Sequence, residues 1–128
     1  MIWDGFNQRK FPRLNVRCEI SLHPQPDADS MPTQTENIGA GGVCVILPRA
    51  LERFSRCWIR LGLDDHLPSV DCQGRIVWAV PTQAQAGARK KTFDTGVEFV
   101  DIDPSVRELI RRFVDSKMAE IKPAPAAQ

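Results

Sequence analysis

The chain has 128 residues, of which 42% are hydrophobic and 26% are charged, a composition typical of one soluble globular domain. Its formal net charge of +1 argues against a protein that coats nucleic acid through a broad basic surface. No apolar run is long enough to span a membrane, and the N-terminal residues lack the apolar segment of a signal peptide. We therefore expect a cytoplasmic protein.

The N-terminal half of the chain predicts short strands joined by turns. Residues 1–8 are expected to form a flexible arm. Every second residue of segment 14–22 is apolar, which predicts one half-buried strand. The proline-rich segment 23–32 predicts an exposed loop. Segment 33–38 predicts a strand that leads into a glycine turn, and segment 43–47 predicts a strand buried on both faces.

The next part of the chain also predicts strands. Segment 48–56 predicts a turn or one helical turn, and segment 57–63 alternates between apolar and polar residues. Segment 70–80 predicts a strand that carries Ile76, Trp78 and Val80 on one face, with Gly74 as a bulge or bend. Segment 93–102 predicts the last strand. We assign Trp58 and Trp78 to packing.

The C-terminal segment changes to a helical period. Its apolar spacing predicts a helix that begins after an N-cap at Asp103 and has Pro104 as its first residue. Residues 122–128 predict a disordered tail. Short strands followed by one helix predict an antiparallel barrel or sandwich.

The four cysteines Cys18, Cys44, Cys57 and Cys72 are too far apart for a CxxC metal or redox motif. Each lies in an apolar or alternating stretch. We interpret them as reduced and mostly buried thiols.

Three glycines in four positions, Gly39, Gly41 and Gly42, come directly before a buried strand. A P-loop is excluded because Val43 and Cys44 stand where that motif needs Lys and Ser or Thr. The GxGxxG dinucleotide motif is excluded because it opens a helix, whereas these glycines open a β-branched strand. Two interpretations stay open: the glycines turn a hairpin, or they let a ligand approach the backbone.

A basic segment, RKFPR, precedes the first strand and contains Arg9, Lys10 and Arg13. Pro12 stiffens this segment and disfavours a helical conformation at Phe11, so we expect an extended arm. The planar guanidinium of Arg suits phosphates and guanine edges. The alternative is a solvated basic loop.

The chain resembles the PilZ domain, the bacterial module that binds cyclic di-GMP (c-di-GMP). Arg9 and Arg13 match the RxxxR motif of the family's N-terminal loop. Asn37 and Gly42 match its [DN]xSxxG motif, in which Gly39 replaces the serine. The GRIVW strand and the closing GVEFVDIDPSVRELIRRF are also similar to the family.

The resemblance implies a mainly β fold over residues 9–121, a six-stranded antiparallel β-barrel with a C-terminal α-helix. It also implies that c-di-GMP is held between the arginine arm and the glycine turn, without a metal or catalytic residues. The residues assigned to this site are Arg9, Lys10, Arg13, Asn37, Gly39, Gly41 and Gly42.

The residue types of this site suit a guanine dinucleotide. An Arg fork can donate to guanine O6 and N7 or hold a phosphodiester. Asn37 can donate to or accept from a base edge, and Gly41 and Gly42 leave the backbone accessible. The hydroxyl that is missing at Gly39 costs about 1 kcal/mol, or roughly five- to tenfold in affinity.

We expect binding to order the arginine arm over a guanylate dimer and to change the surface that an unidentified effector protein contacts. The alternative is an adaptor of the same fold that does not bind the nucleotide. A helix-mediated homodimer also stays open, because Leu109 and Met118 widen the apolar stripe of the helix.

Enzymatic and nucleic-acid functions are disfavoured. His23 and His66 lie beside prolines or in an acidic turn, where solvated loops are commoner than metal sites. Glu98 and Asp101 are interpreted as surface charges and not as an acid–base pair. Aromatic residues interleave with basic ones near the N-terminus, as in stacking platforms for nucleic acid, but the net charge of +1 argues against that function.

Overall fold

The structure, a computed structural model, describes residues 13–25, 29–82 and 91–121. Within these residues, seven strands precede one helix. Their bounds are β1 Arg13–Leu14, β2 Glu19–His23, β3 Met31–Gly39, β4 Gly42–Leu47, β5 Arg56–Gly62, β6 Val70–Pro81, β7 Phe93–Val100 and α1 Pro104–Ile121. The expectations for the arm at 1–8, for Arg9 and Lys10, and for the tail at 122–128 lie outside the described residues.

The strands form one antiparallel sheet in the order β1-β3-β2-β5-β6-β7-β4, and β4 pairs back with β3. This pairing closes β2 to β7 into a six-stranded barrel, and β1 adds a short strand beside β3. The prediction of a mainly β fold with a six-stranded antiparallel barrel and a C-terminal helix is confirmed.

Alternating side chains from the strands fill the barrel interior. In β5, Cys57, Ile59 and Leu61 are buried and the residues between them are not. Strand β4 is buried at every position except Ile46, as its continuous apolar run predicted. The bulkiest fully buried side chains are Leu22, Ile38, Leu47, Leu61, Ile76 and Ile110.

Strand β3 pairs on one side with both β1 and β2, which are separated by residues 15–18. The single strand predicted over 14–22 is therefore interrupted. The side chain of Thr35, which is 1% exposed, fills the break. Its Oγ1 accepts a hydrogen bond from Cys18 N at 2.8 Å and donates one to Val16 O at 2.7 Å. Thr35 thus satisfies backbone groups that the interruption leaves without strand partners.

Strand β6 contains a bulge at Val77, where its pairing with β7 shifts between Ile76 and Trp78. The predicted bulge or bend at Gly74 is wrong, and so is the single face shared by Ile76, Trp78 and Val80. The extra residue at Val77 turns Trp78 and Val80 toward the outer face, while Ala79 packs against the core. Val80 is accordingly 48% exposed.

Gly74 has a packing role instead. It pairs regularly with both neighbouring strands. A Cβ at this position would lie 2.5 Å from Cγ1 of Val97 and 2.8 Å from Cδ1 of Ile59. The barrel interior therefore has room only for a hydrogen atom there.

Helix α1 begins where the sequence predicted. Ser105 N donates to Oδ1 of Asp103 at 2.8 Å, so Asp103 is the N-cap. Ile110, Phe113 and Val114 belong to the hydrophobic core. The helix contacts β1 and β3, and it therefore packs beside the strand that carries Arg13.

The four cysteines are free thiols. Burial raises the pKa of Cys57 and of Cys72 to about 12, which keeps both protonated at neutral pH. The described residues include no group of three His, Cys, Asp or Glu side chains arranged to hold a metal ion. Within the same part of the chain, no helix has the length and hydropathy needed to cross a membrane.

Candidate functional site

Arg13 lies on the outer face of the barrel in strand β1. The register pairs Arg13 with Gly39 and Leu14 with Ile38. Leu14 and Ile38 are buried, so the side chain of Arg13 projects to the opposite, outer face. Its Nε donates to Oδ1 of Asn37 at 2.9 Å, and its Nη2 donates to the same oxygen. Residues from two separate sequence motifs therefore form one polar pair.

Asn37 faces outward because β3 contains a bulge. Residues on one face of a regular strand lie two or four positions apart. Thr35 and Ile38 are both buried although they lie three positions apart, and the pairing with β4 shifts between Thr35 and Asn37. In a regular strand, Asn37 would share the inward face of Thr35. The extra residue, Glu36, therefore brings Asn37 to the face that carries Arg13.

The glycine cluster forms the turn between β3 and β4. Gly39 pairs with Gly42, and Ala40 and Gly41 are the two turn residues. The carbonyl of Gly41 accepts a hydrogen bond from Phe99 N at 2.9 Å. The glycines thus turn the chain, and the tip of the turn is anchored near the end of β7.

A row of paired residues crosses the outer face of five strands in the order Arg13, Gly39, Gly42, Glu98 and Arg75. Directly paired residues of an antiparallel sheet project to the same side. Because Gly39 and Gly42 carry no side chain, the centre of the row consists of backbone alone, which we name the glycine platform. Arg13 bounds the platform on one side and Glu98 bounds it on the other.

Trp78 lies on the same outer face, beside the glycine platform. The adjacent row runs through Asn37, Cys44, Gly96 and Trp78. The indole of Trp78 lies over Gly96, because a Cβ at Gly96 would clash with the indole nitrogen and its neighbouring carbons. Trp78 is half-buried. Its ring therefore offers an aromatic surface on this face, over a strand that is two strands away from Asn37.

Sequence reasoning assigned Trp78 to packing and did not place it at the site. The alternation of β6 put Trp78 on the inner face, and the bulge at Val77 reverses that assignment. The available signal was Gly96, a glycine in the middle of a strand, which often marks the close approach of another group.

The acidic and thiol groups of this face have raised pKa values. Burial raises the pKa of Glu36, and the neighbouring carboxyl group of Asp94 raises it further. Burial, reinforced by Glu36, raises the pKa of Cys44 to about 12. The Cys44 thiol therefore stays protonated at neutral pH and is not an activated nucleophile.

A groove of about 730 Å³ follows β3 next to Asn37. Its polar lining includes Asn15, Arg17, Gln34 and Glu36. The groove opens to solvent at the barrel wall, whereas Gly39 and Gly42 of the glycine platform are buried. An open groove suits a flat, extended ligand more than a small molecule that must be enclosed.

The structure brings most of the predicted site residues to one region. Those that it describes are Arg13, Asn37, Gly39, Gly41 and Gly42, and all of them lie at the meeting point of β1, β3 and β4. Arg9 and Lys10 lie outside the described residues, so their place in the site stays a prediction.

Solved structures of low sequence identity share this fold. The PilZ domain of YcgR from Escherichia coli, solved with c-di-GMP, has a TM-score of 0.70 and 14% identity, covering 90% of this chain and 95% of that one. K. pneumonia MrkH in complex with c-di-GMP has a TM-score of 0.73 and 11% identity, with coverage of 90% and 53%. MotI/DgrA, the Bacillus subtilis inhibitor of motility, has a TM-score of 0.70 and 13% identity, with coverage of 88% and 52%. The chain thus spans about half the length of MrkH and MotI.

A comparison with protein families gives a match over most of the chain. No curated protein shows a significant match. The family model described as the PilZ domain matches residues 7–116. This range includes both sequence motifs, every barrel strand and most of helix α1. The chain therefore belongs to the PilZ domain family.

Proposed function

We propose that this chain is a non-enzymatic receptor that binds c-di-GMP on the glycine platform and signals to a protein effector. The observation that carries the proposal is the hydrogen-bonded pair of Arg13 and Asn37 beside Gly39 and Gly42. Both family motifs contribute to this one surface. YcgR and MrkH, which share the fold, were solved with c-di-GMP.

The chemistry of the surface supports a guanine nucleotide as the ligand. A flat base can lie on the glycine platform because no Cβ projects from its centre. Arg13 can donate to guanine O6 and N7 or to a phosphodiester oxygen. Its bond to Asn37 holds the guanidinium at this face, which lowers the entropy lost on binding. Trp78 adds an aromatic surface, and stacking of a base on such a ring contributes about 1–3 kcal/mol.

The proposal includes the segment before β1. We expect Arg9 and Lys10 to contact the bound nucleotide as this segment folds over it, which would change the surface that the effector contacts. Ordering the segment consumes part of the interaction free energy. A receptor for an intracellular second messenger is expected in the cytoplasm, and the proposal includes that location.

Gly39 favours a second candidate, an adaptor that contacts its effector without binding the nucleotide. The family motif has a serine at this position, so one hydroxyl is missing. The loss of one neutral hydrogen bond weakens affinity by roughly five- to tenfold. Because Arg13, Asn37 and the platform remain, we expect weakened binding and not its abolition.

Calorimetric titration with c-di-GMP tests the proposal. We expect the wild-type chain to bind saturably, with a dissociation constant in the micromolar range or below. Arg13→Ala should weaken binding by about ten- to a hundredfold, because hydrogen bonds from a charged donor contribute about 1.5–3 kcal/mol. GTP serves as the control ligand and should not bind.

Arg60→Ala is the matched control variant. Arg60 is also an outward-facing arginine in a cross-strand pair, with Asp71 at 2.9 Å, but it lies on β5, which does not pair with β1, β3 or β4. Its removal should leave c-di-GMP affinity unchanged. No detectable heat from folded wild-type protein at high c-di-GMP concentration would reject the receptor proposal and favour the adaptor.

A further inference from the structure

Glu98 occupies a position on the outer row that neither family motif includes. It pairs with Gly42 on one side and with Arg75 on the other. Its neighbours Val97 and Phe99 are buried, so the Glu98 side chain projects outward. A carboxylate therefore lies at the edge of the glycine platform, opposite Arg13.

The carboxylate of Glu98 is held through one of its two oxygens. Nη2 of Arg75 donates to Oε1 at 2.7 Å. Oε2 accepts a hydrogen bond from none of the residues that the structure describes. The pair is only partly exposed, at 38% for Glu98 and 47% for Arg75. Arg75 thus orients the carboxylate and leaves one oxygen available to a ligand.

We propose that Glu98, positioned by Arg75, accepts hydrogen bonds from the Watson–Crick edge of a guanine on the glycine platform and makes the site selective for guanine over adenine. This inference rests on the proposed function. Guanine carries N–H donors at N1 and N2, and a carboxylate is an acceptor with two oxygens. Adenine has an unprotonated N1 and no amino group at C2, so it would leave Oε2 of Glu98 without a donor.

The two ends of the row match two different edges of one base. Three strand spacings separate the Cα atoms of Arg13 and Glu98, about 14 Å, and both side chains project from the same face of the sheet. The donors of Arg13 suit guanine O6 and N7. The acceptor of Glu98 suits N1–H and the N2 amino group. Adenine would present its own amino group to Arg13 and a lone pair to Glu98, so it is mismatched at both ends.

The test compares c-di-GMP with c-di-AMP in calorimetric titrations of the full chain and of Glu98→Gln. The wild type should prefer c-di-GMP. Glutamine keeps the shape of the side chain, but its amide can donate to the lone pair of adenine N1. We expect the ratio of the two affinities to fall by about tenfold or more in this variant, because a hydrogen bond to a charged acceptor is lost for guanine alone.

The ratio of affinities separates base recognition from a general charge effect. Both ligands carry the same two phosphodiesters, so removal of a negative charge from the platform edge strengthens the binding of both alike. A Glu98 that serves only in the cross-strand ion pair would leave the ratio at its wild-type value, and that result would overturn the inference. Asp71→Asn removes the carboxylate of the comparable Arg60–Asp71 pair and should not change the ratio.

Arg75→Gln tests the positioning role of Arg75. The carboxylate remains in this variant but is no longer held, so we expect a smaller fall of the ratio than in Glu98→Gln. An unchanged ratio would remove Arg75 from the recognition of guanine. Failure of the wild type to bind c-di-GMP would reject the proposed function and this inference together, whereas binding with an unchanged ratio in Glu98→Gln would reject the inference alone.

Discussion

At the scale of single residues, Phe54 has a strained backbone that neighbouring groups hold in place. Its φ is 72°, a value that bulky residues rarely adopt, and its side chain is 61% exposed. Phe54 N donates to Ile76 O at 2.6 Å. The guanidinium of Arg53 lies 4.8 Å from the centre of the Phe54 ring, and its Nε donates to Val77 O at 3.0 Å. These contacts fix the loop against the bulge of β6.

Paired substitutions at Phe54 isolate the cost of this backbone strain. Phe54→Gly and Phe54→Ala both remove the ring and its contact with Arg53, but only glycine adopts a positive φ without a Cβ clash. We expect Phe54→Gly to have a free energy of unfolding about 1 kcal/mol higher than Phe54→Ala, as measured in urea.

The matched control is the same pair of substitutions at Arg112, an exposed residue of helix α1. The order should be reversed there, because glycine is less stable than alanine inside a helix. Equal or greater stability of Phe54→Ala relative to Phe54→Gly would contradict the strain.

The sequence predicted the kinds of residue at the candidate site better than the faces on which they lie. Motif matching proposed Arg13 and Asn37, but their direct contact depends on the extra residue in β3 at Glu36. The position of Trp78 depends likewise on Val77. A glutamate or a valine in a strand gives no sequence signal for a bulge. One inserted residue nevertheless reverses the face, inner or outer, that is predicted for every later residue of the strand.

At the scale of secondary structure elements, predictions succeeded where the signal is local. Strand β5 has a strict alternation, β4 has a continuous apolar run, and α1 has its cap at Asp103. The interruption between β1 and β2 has no local signal. It depends on Thr35, which is remote in sequence and supplies hydrogen bonds from the neighbouring strand.

Thr35→Val tests the role of that bridge. Valine keeps the branched shape but removes the hydroxyl, which leaves the buried Cys18 N and the part-buried Val16 O without that partner. We expect the free energy of unfolding to fall by about 1–3 kcal/mol. We also expect weaker binding of c-di-GMP, because the strand that carries Arg13 is less firmly held. Urea unfolding and calorimetry measure the two effects.

Thr35→Ser is the matched control for this substitution. Serine retains the hydroxyl and loses only a methyl group, so its stability should stay closer to that of the wild type. A valine variant as stable as the wild type would show that the hydroxyl does not support the interrupted strand.

At the scale of the whole molecule, the barrel and the helix share one hydrophobic core. Ile110 of α1 is 0% exposed and belongs to the same cluster as the barrel residues. We therefore expect one cooperative unfolding transition, with the helix signal in circular dichroism and the tryptophan fluorescence changing together. The domain limits at residues 9 and 121 stay predictions.

Ile110→Ala tests the shared core. The cavity should lower the free energy of unfolding by about 2–5 kcal/mol and shift both spectroscopic transitions by the same amount. Arg112→Ala, on the exposed side of the helix, should change stability by no more than about 0.5 kcal/mol. A helix signal that is lost before the fluorescence changes would show that α1 unfolds independently of the barrel.

The glycine platform borders the seam between β4 and β7, and this position has a consequence for folding kinetics. Strands β4 and β7 are neighbours in the barrel but are separated in the chain by β5 and β6. Pairing of such distant segments is slow, because chain entropy is lost before the contacts form. Gly42 meets Glu98 only when this seam closes. The ability to recognise a nucleotide would thus be acquired late in folding, and a growing chain on the ribosome would lack it until β7 had been synthesised.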